Sequence, residues 1–423
     1  MGRGQPTDEP APSGPGPDRT GGRRLPGFLA ALSYRSFRLL WIGAFLSSLG
    51  TWTQDMALSW LIYEQIGDPL YLGLRQFAQD LPMLSLMLLG GAIADRVDRR
   101  RILLSSQLFQ MSMAVLLAAL FFAERLGAPA ILAIAFLTGV AQSQSAPTYQ
   151  AVLTSLVPRE RISNAVALNS LQFNLSRALG PVVGGVLLAQ AGTGACFVVN
   201  AASFVAVILA VWTIRFPPPA VARESLGRTL RTGVRHVVET PVLRSLTLLA
   251  AGASFLGFPI ITYLPVIAGD VLGTGASGYS LLLTSIGVGA IAGALSTAQR
   301  GSVPGRGRLM LLCFAAFGAV TVAAVLSRWQ GVSMALLVGS GFFLTTAFST
   351  LNSLVQENAP DELRGRVLSI FGLAFRGGGP VGSLVAGGLV RAAGAPVVMA
   401  VYSGLLFVLC VALVARRRGA AAL

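Results

Sequence analysis

Apolar stretches recur along this chain at a length that suits a bilayer better than a soluble core. A helix needs about 20 apolar residues to cross the hydrocarbon. Runs of that length fall at 39–64, 70–93, 102–123, 129–152, 163–189, 195–214, 243–268, 277–298, 308–327, 331–354, 366–390 and 395–415. Each predicts a helix, and together they predict an all-α integral membrane protein of twelve transmembrane helices. The fourth and tenth runs shade into polar residues at one end, so their boundaries are soft.

Composition strengthens this reading. Hydrophobic residues make up 54% of the chain and charged residues only 12%, where a soluble protein carries roughly a quarter charged. Residues 1–33 are rich in Gly, Pro and Arg and lack the apolar core of a cleaved signal. They are expected as a disordered cytoplasmic tail ending in a short interfacial helix, with Phe28 and Leu29 dipping into the headgroups.

The net charge of +15 raises a competing possibility, since basic patches attract nucleic acid. The placement of the charge decides between them. All 32 basic residues are arginine. With the amino terminus inside, Arg125, Arg328 and Arg391 fall in outer loops and Arg75, Arg177 and Arg376 within spans; the others lie on the inner side. Cytoplasmic enrichment of cations is an orientation signal. It puts both termini in the cytoplasm, makes the protein a multi-pass component of the bacterial plasma membrane, and removes the case for a nucleic-acid partner.

The chain also repeats itself. Arg177-Ala-Leu-Gly180-Pro181 parallels Arg376-Gly-Gly-Gly379-Pro380, and each follows a similar Pro-containing turn, at Pro158 and Pro360. Two six-helix pseudo-repeat bundles are expected at 34–214 and 242–416. A cytoplasmic linker with an amphipathic basic helix, 215–241, joins them, and 417–423 forms a second tail. Parallel repeats of this kind place a binding site between the halves near midplane.

One loop carries a recognisable signature. After the second span comes Gly91-Ala-Ile-Ala-Asp95-Arg96-Val-Asp98-Arg99-Arg100-Arg101, which resembles the loop motif of the major facilitator superfamily. Asp98 departs from it, since Gly is usual there. The fifth span holds Gly180-Pro181-Val-Val-Gly184-Gly185, similar to the core of the motif of drug–proton antiporters, with Leu171 where an upstream Gly is usual. Over all twelve runs the chain resembles the enterobactin-exporter-like and drug–proton antiporter branch. The resemblance implies the major facilitator fold, alternating access and efflux, and a cytoplasmic gate built on Gly91, Asp95, Arg96, Arg99 and Arg100. For Gly180, Pro181, Gly184 and Gly185 two readings stand: a bend that closes the fifth span against its neighbour, or small residues that allow close packing.

Charges at bilayer depth cost at least ~2.5 kcal/mol and normally face a partner or an aqueous cavity. At 1.5 Å per residue, Asp55 lies about 14 Å and Asp80 about 15 Å from the outer end of their spans, near midplane with Arg177 and Arg376. Arg75 is only about 8 Å in, shallow enough to snorkel outward. Asp55 is expected near Arg177, and Asp80 opposite Arg376 across the interface, from the helix neighbours the resemblance implies. A buried carboxylate whose partner arginine comes and goes can carry protons; a permanent pair only holds helices together. Asp55 and Asp80 are both candidates. The sole histidine, His236, falls in the linker and is a poor relay.

Gln54, Gln76, Gln142, Asn169 and Asn174 are candidate cavity polar groups in the first half, with Phe258 and Tyr263 as aromatic candidates in the second. Cys196, Cys313 and Cys410 sit singly in apolar runs, with neither disulfide nor metal spacing, and no metal or cofactor is expected. A nucleotide-binding loop of the Walker type needs a Lys that this chain lacks, so a proton gradient is the expected energy source. Sparse acids and one histidine disfavour an enzyme. The resulting expectation is a monomeric, proton-coupled exporter of a small amphipathic organic molecule, such as a drug, siderophore or other secondary metabolite. The alternatives are an importer or a lipid-like-substrate flippase on the same fold, or a membrane sensor that does not transport.

Overall fold

A backbone in hydrocarbon must satisfy its own N–H and C=O groups, and a helix does so within one segment. The computed structural model describes residues 27–94, 98–214, 226–300 and 305–416, and its regular elements are helical. A 3-10 turn at Gly27–Ser33 leads into α1 (Arg35–Leu61), which a π turn extends over Ile62–Ile66. Then come α2 (Leu70–Ala94), α3 (Arg99–Phe122), α4 (Ala128–Ser155) and α5 (Ile162–Thr213). The amphipathic α6 (Leu226–Glu239) follows, then α7 (Pro241–Gly257), α8 (Pro259–Val266) and a π turn at Ile267–Val271. The remainder is α9 (Gly275–Arg300), α10 (Arg306–Leu326), α11 (Gln330–Asn358), α12 (Arg364–Ala393) and α13 (Ala395–Arg416).

Among the described residues, eight helical stretches are long and apolar enough to cross a membrane. One of them, Arg159–Thr213, reverses direction at Gly192, whose φ of 78° is left-handed. That conformation is open to Gly and strained for other residues, and it lets two antiparallel helices join without a loop. Cys196 Sγ accordingly returns to within 3.6 Å of the Gly184 oxygen. Gly394, φ 80°, does the same between α12 and α13. The seventh apolar run, expected as one helix, is broken at Phe258–Pro259, because proline supplies no N–H for the preceding turn.

The packing follows the sequence repeat. α1 lies on α5 and α2 on α4; correspondingly α7 lies on α12 and α9 on α11. Two seams join these sets, α2 against α12 and α5 against α9. Glycine permits the closest approaches: a Cβ on Gly73 would collide with the Ser383 backbone, and one on Gly382 with the Phe255 carbonyl. Large apolar side chains are exposed on every long helix, among them Leu46, Val115, Phe136, Leu248, Leu312 and Val401. So much exposed apolar surface matches lipid rather than water.

Two expectations change. Leu29 packs against a protein core that includes Tyr34, Phe37 and Leu153, and the Ala31 N–H donates to Asn164 Oδ1 at 2.8 Å. The turn is thus tied to the bundle. Arg75 does not snorkel: it is 6% exposed. The three cysteines are buried, as expected of core residues. The expected tails fall outside the described residues except for 27–33.

Candidate functional site

Between the two seams lies a cavity of about 440 Å³. Every charged side chain predicted within a span reaches it: Asp55 on α1, Arg75 and Asp80 on α2, Arg177 on α5 and Arg376 on α12. Their partners differ from those expected. Asp55 is ion-paired with Arg75, not with Arg177. Arg75 also donates to Gln79 Oε1 at 3.2 Å and to Ser59 Oγ at 3.4 Å. Arg177 instead donates to Asn174 Oδ1 at 3.1 Å, one turn back on its own helix.

Helical periodicity explains how α2 serves two sites. Residues four apart share a face, so Gln76 and Asp80 form one pair and Arg75 and Gln79 another. Gln76 Nε2 donates to Asp80 at 2.6 Å. Asp80 and Arg376 share the cavity wall, as expected, within electrostatic reach. Arg376 donates to Met83 Sδ at 3.5 Å, which leaves Asp80 held chiefly by a neutral amide.

Arg75 and Asp55 also border a second chamber of about 30 Å³, inside the first half. Gln54, Gln79, Gln110, Gln142 and Asn200 surround it, and Asn200 donates to Gln54 at 2.8 Å. Its size and polarity suit one or two waters. Gln54 and Gln142 therefore line this chamber rather than the large cavity. Asn169 is on neither wall, and Asn174 serves Arg177 and the Ser170 carbonyl. Phe258 lines the large cavity. Tyr263 does not: it is fully buried, and its hydroxyl donates to the Ser383 carbonyl at 2.6 Å.

Sequence reasoning missed Trp52, Phe173, Tyr279 and Phe375 on the cavity wall. Phe173 and Phe375 could have been found, because they stand four and one residues before the repeated arginines Arg177 and Arg376. Trp52 packs edge-on to Phe173 with ring centroids 6.0 Å apart.

The fifth-span glycines pack on two sides. A Cβ on Gly180 would strike Trp52, and one on Gly185 would strike Ser280 of α9. Thr53 Oγ1 donates to the Gly180 carbonyl at 3.1 Å, and Ser280 Oγ to the Pro181 carbonyl at 2.7 Å. Gly184 rests on Thr53 and Met56. Close packing is thus the visible role of this motif.

In the loop motif, Asp95 and Arg96 lie outside the described residues, Gly91 is in the last turn of α2, and Arg99 opens α3. Asp98 caps that helix, accepting from the Arg100 N–H at 2.8 Å. This explains an acid where the motif has Gly: a cap needs a side-chain acceptor, not a left-handed backbone. Arg100 donates to the Trp212 carbonyl and lies 5.7 Å from its ring centroid, so it ties α3 to the end of α5 in the same half.

At the opposite end of the bundle, polar contacts bridge the two sets of helices. Tyr63 donates to Asp270 Oδ1 at 2.6 Å, and Arg391 lies 3.6 Å from Asp68.

Comparison with known proteins agrees with this architecture. A family model described as transmembrane secretion effector matches residues 27–420. The chain is 28% identical over 368 residues to the multidrug efflux pump Tap of Mycolicibacterium fortuitum, covering 84% of this chain and 89% of that one. It is 26% identical over 346 residues to the staphyloferrin A transporter of Staphylococcus aureus, covering 81% and 86%. With the enterobactin exporter EntS of Escherichia coli it shares 27% over 364 residues, covering 84% and 86%. The fold resembles that of the nucleoside transporter NupG, with a TM-score of 0.70 at 14% identity over 90% and 98% of the two chains. An inward-facing bacterial homologue of the transporter Spinster gives 0.67 at 16% identity over 92% and 96%. The chain is a multi-pass membrane protein and belongs to the transmembrane secretion effector family of major facilitator transporters, which are not enzymes.

Proposed function

We propose that this protein is a secondary active exporter of small amphipathic organic compounds, driven by proton entry through alternating access. The carrying observation is the cavity between the α2–α12 and α5–α9 seams, with Asp80 and Arg376 on one seam and neither locked into an ion pair. Export is favoured by the relatives, a multidrug pump and siderophore transporters.

The architecture in this reading is twelve spans in two six-helix bundles. The eight apolar stretches account for nine, since one of them doubles back at Gly192. α1, α2 and α4 supply the rest, each carrying polar residues that line the chambers. Both termini are cytoplasmic and the protein is a monomer of the bacterial inner membrane. The ends bridged by Tyr63–Asp270 and Asp68–Arg391 then face outward, so the structure is closed to the outside.

Asp80 is the better proton carrier of the two acids. Asp55 is engaged by a nearly inaccessible arginine, whereas Asp80 faces Arg376 across a seam that must shift when the bundles rock. Approach of the arginine favours the carboxylate, and withdrawal favours the acid. The test is purified protein in liposomes containing a pH dye, with substrates added from a panel of amphipathic drugs and siderophores. Substrate-triggered proton movement lost in Asp80→Asn supports the reading. Movement undiminished in both Asp80→Asn and Asp55→Asn sinks it, and substrate flux without protons would make the protein a facilitator.

A further inference from the structure

The two bundles repeat, and the repeat is broken at one charge. Arg177 on α5 and Arg376 on α12 occupy corresponding places in the repeated Arg-x-x-Gly-Pro segment, and both reach the cavity. Each stands at a seam with a helix of the other half. Across from Arg376, α2 supplies Asp80. Across from Arg177, α9 supplies Leu283, Ile286 and Gly287, and α9 contains no Asp or Glu anywhere along its length. Among the described residues no carboxylate lies against Arg177, whose Nε is buried without a partner and whose Nη2 has only the neutral Asn174. The cavity wall thus carries Asp55 and Asp80 against Arg75, Arg177 and Arg376, one positive charge in excess.

A guanidinium left without an acid in a low-dielectric cavity is unfavourable unless something negative arrives. Beside it stand the edge-packed rings of Trp52 and Phe173, the latter one helical turn away on the same face of α5. We infer that the transported compound is an aromatic acid, whose carboxylate or comparably acidic group is held by Arg177 while its ring rests against Trp52 and Phe173. Arg177 fills the role of an anion receptor more readily than its repeat partner Arg376, which has the acid Asp80 on the helix across its seam, whereas the helix across from Arg177 offers none. This deepens the transport reading and rests on the same cavity, but it makes a separate claim about binding.

The test uses two fluorescent tricyclic probes of similar size and opposite charge, carboxyfluorescein and ethidium. Binding to the purified full-length protein is read by fluorescence anisotropy, independently of any flux. The wild type is expected to bind carboxyfluorescein more tightly than ethidium. Arg177→Gln weakens carboxyfluorescein by about tenfold or more, the scale of one charge-assisted contact, and leaves ethidium equal or tighter; Arg177→Lys retains part of the anion affinity. Leu283→Glu, which places the missing carboxylate on α9 and leaves Arg177 intact, is expected to depress anion binding in the same way. A preference for ethidium in the wild type, or carboxyfluorescein affinity undiminished in both Arg177→Gln and Leu283→Glu, overturns the inference. Absence of carboxyfluorescein binding to the folded wild type also overturns it. Transport of the same probes in liposomes separates the two claims: anion binding that depends on Arg177 without flux sinks the transport reading and leaves the receptor standing.

Discussion

Arg75 and Asp55 show how strongly a single pair can depend on both partners. The guanidinium is 6% exposed, engaged by Asp55, Gln79 and Ser59. Removing one member of a buried pair typically destabilises by about 3–5 kcal/mol, because it strands the other charge. Arg75→Met is therefore expected to lower the thermal midpoint of the detergent-solubilised protein markedly, and Arg75→Met combined with Asp55→Leu to recover most of the loss. A loss in the double variant equal to the sum of the losses in Arg75→Met and Asp55→Leu alone would show that the two side chains do not interact. That these charges belong to one site was legible from their positions within apolar runs. The pairing was not: an arginine side chain is long enough to reach past a helical turn, so similar depth left several partners open to Asp55. Asp98 is the converse case, where a departure from a loop motif turned out to be an ordinary helix cap.

At the scale of elements, the glycine positions of α5 and α12 define how closely helices approach. Gly185 faces Ser280 with no room for a Cβ, and Gly382 meets the Phe255 backbone likewise. Gly185→Leu is expected to abolish transport or folding, measured as the monodisperse yield and substrate flux. Gly252→Ala, with nothing within 4 Å of the new methyl, should be neutral or slightly stabilising, since Ala is the better helix former by ~1 kcal/mol. The helical segments themselves were readable in the sequence because apolar length is a property of one segment. Their interruptions were readable only in part. Pro259 announces the break between α7 and α8, yet proline also sits within α2, α4, α5 and α12 without ending them. Neighbouring helices decide which prolines break a helix, and one segment's sequence does not contain them. The same holds for the cavity: the amides of the first half were visible as a group, but whether each faces the large cavity or the small chamber depends on helix rotation.

At the scale of the molecule, two contacts bridge the halves at one end of the bundle, Tyr63 with Asp270 and Asp68 with Arg391. Each is worth roughly 1 kcal/mol, so losing both shifts an open–closed balance by about thirtyfold. On the proposed orientation, Asp270→Ala combined with Asp68→Ala should expose the cavity from outside. The readout is the rate at which a cysteine at Ser383, on the cavity wall, reacts with an impermeant maleimide added to right-side-out vesicles. The buried native cysteines would give little background. The turns at that same end have a further consequence. The helices reverse there through residues 67–69, 123–127, 272–274 and 327–329, and through single glycines at 192 and 394. On the proposed orientation the cell displays an almost seamless floor to its surroundings. A protease, an antibody or a phage adhesin arriving from outside finds little chain to grasp. Trypsin added to right-side-out vesicles should leave the protein whole, whereas in inverted vesicles it should cut, so a mild digestion read on a gel would fix which way up the molecule sits.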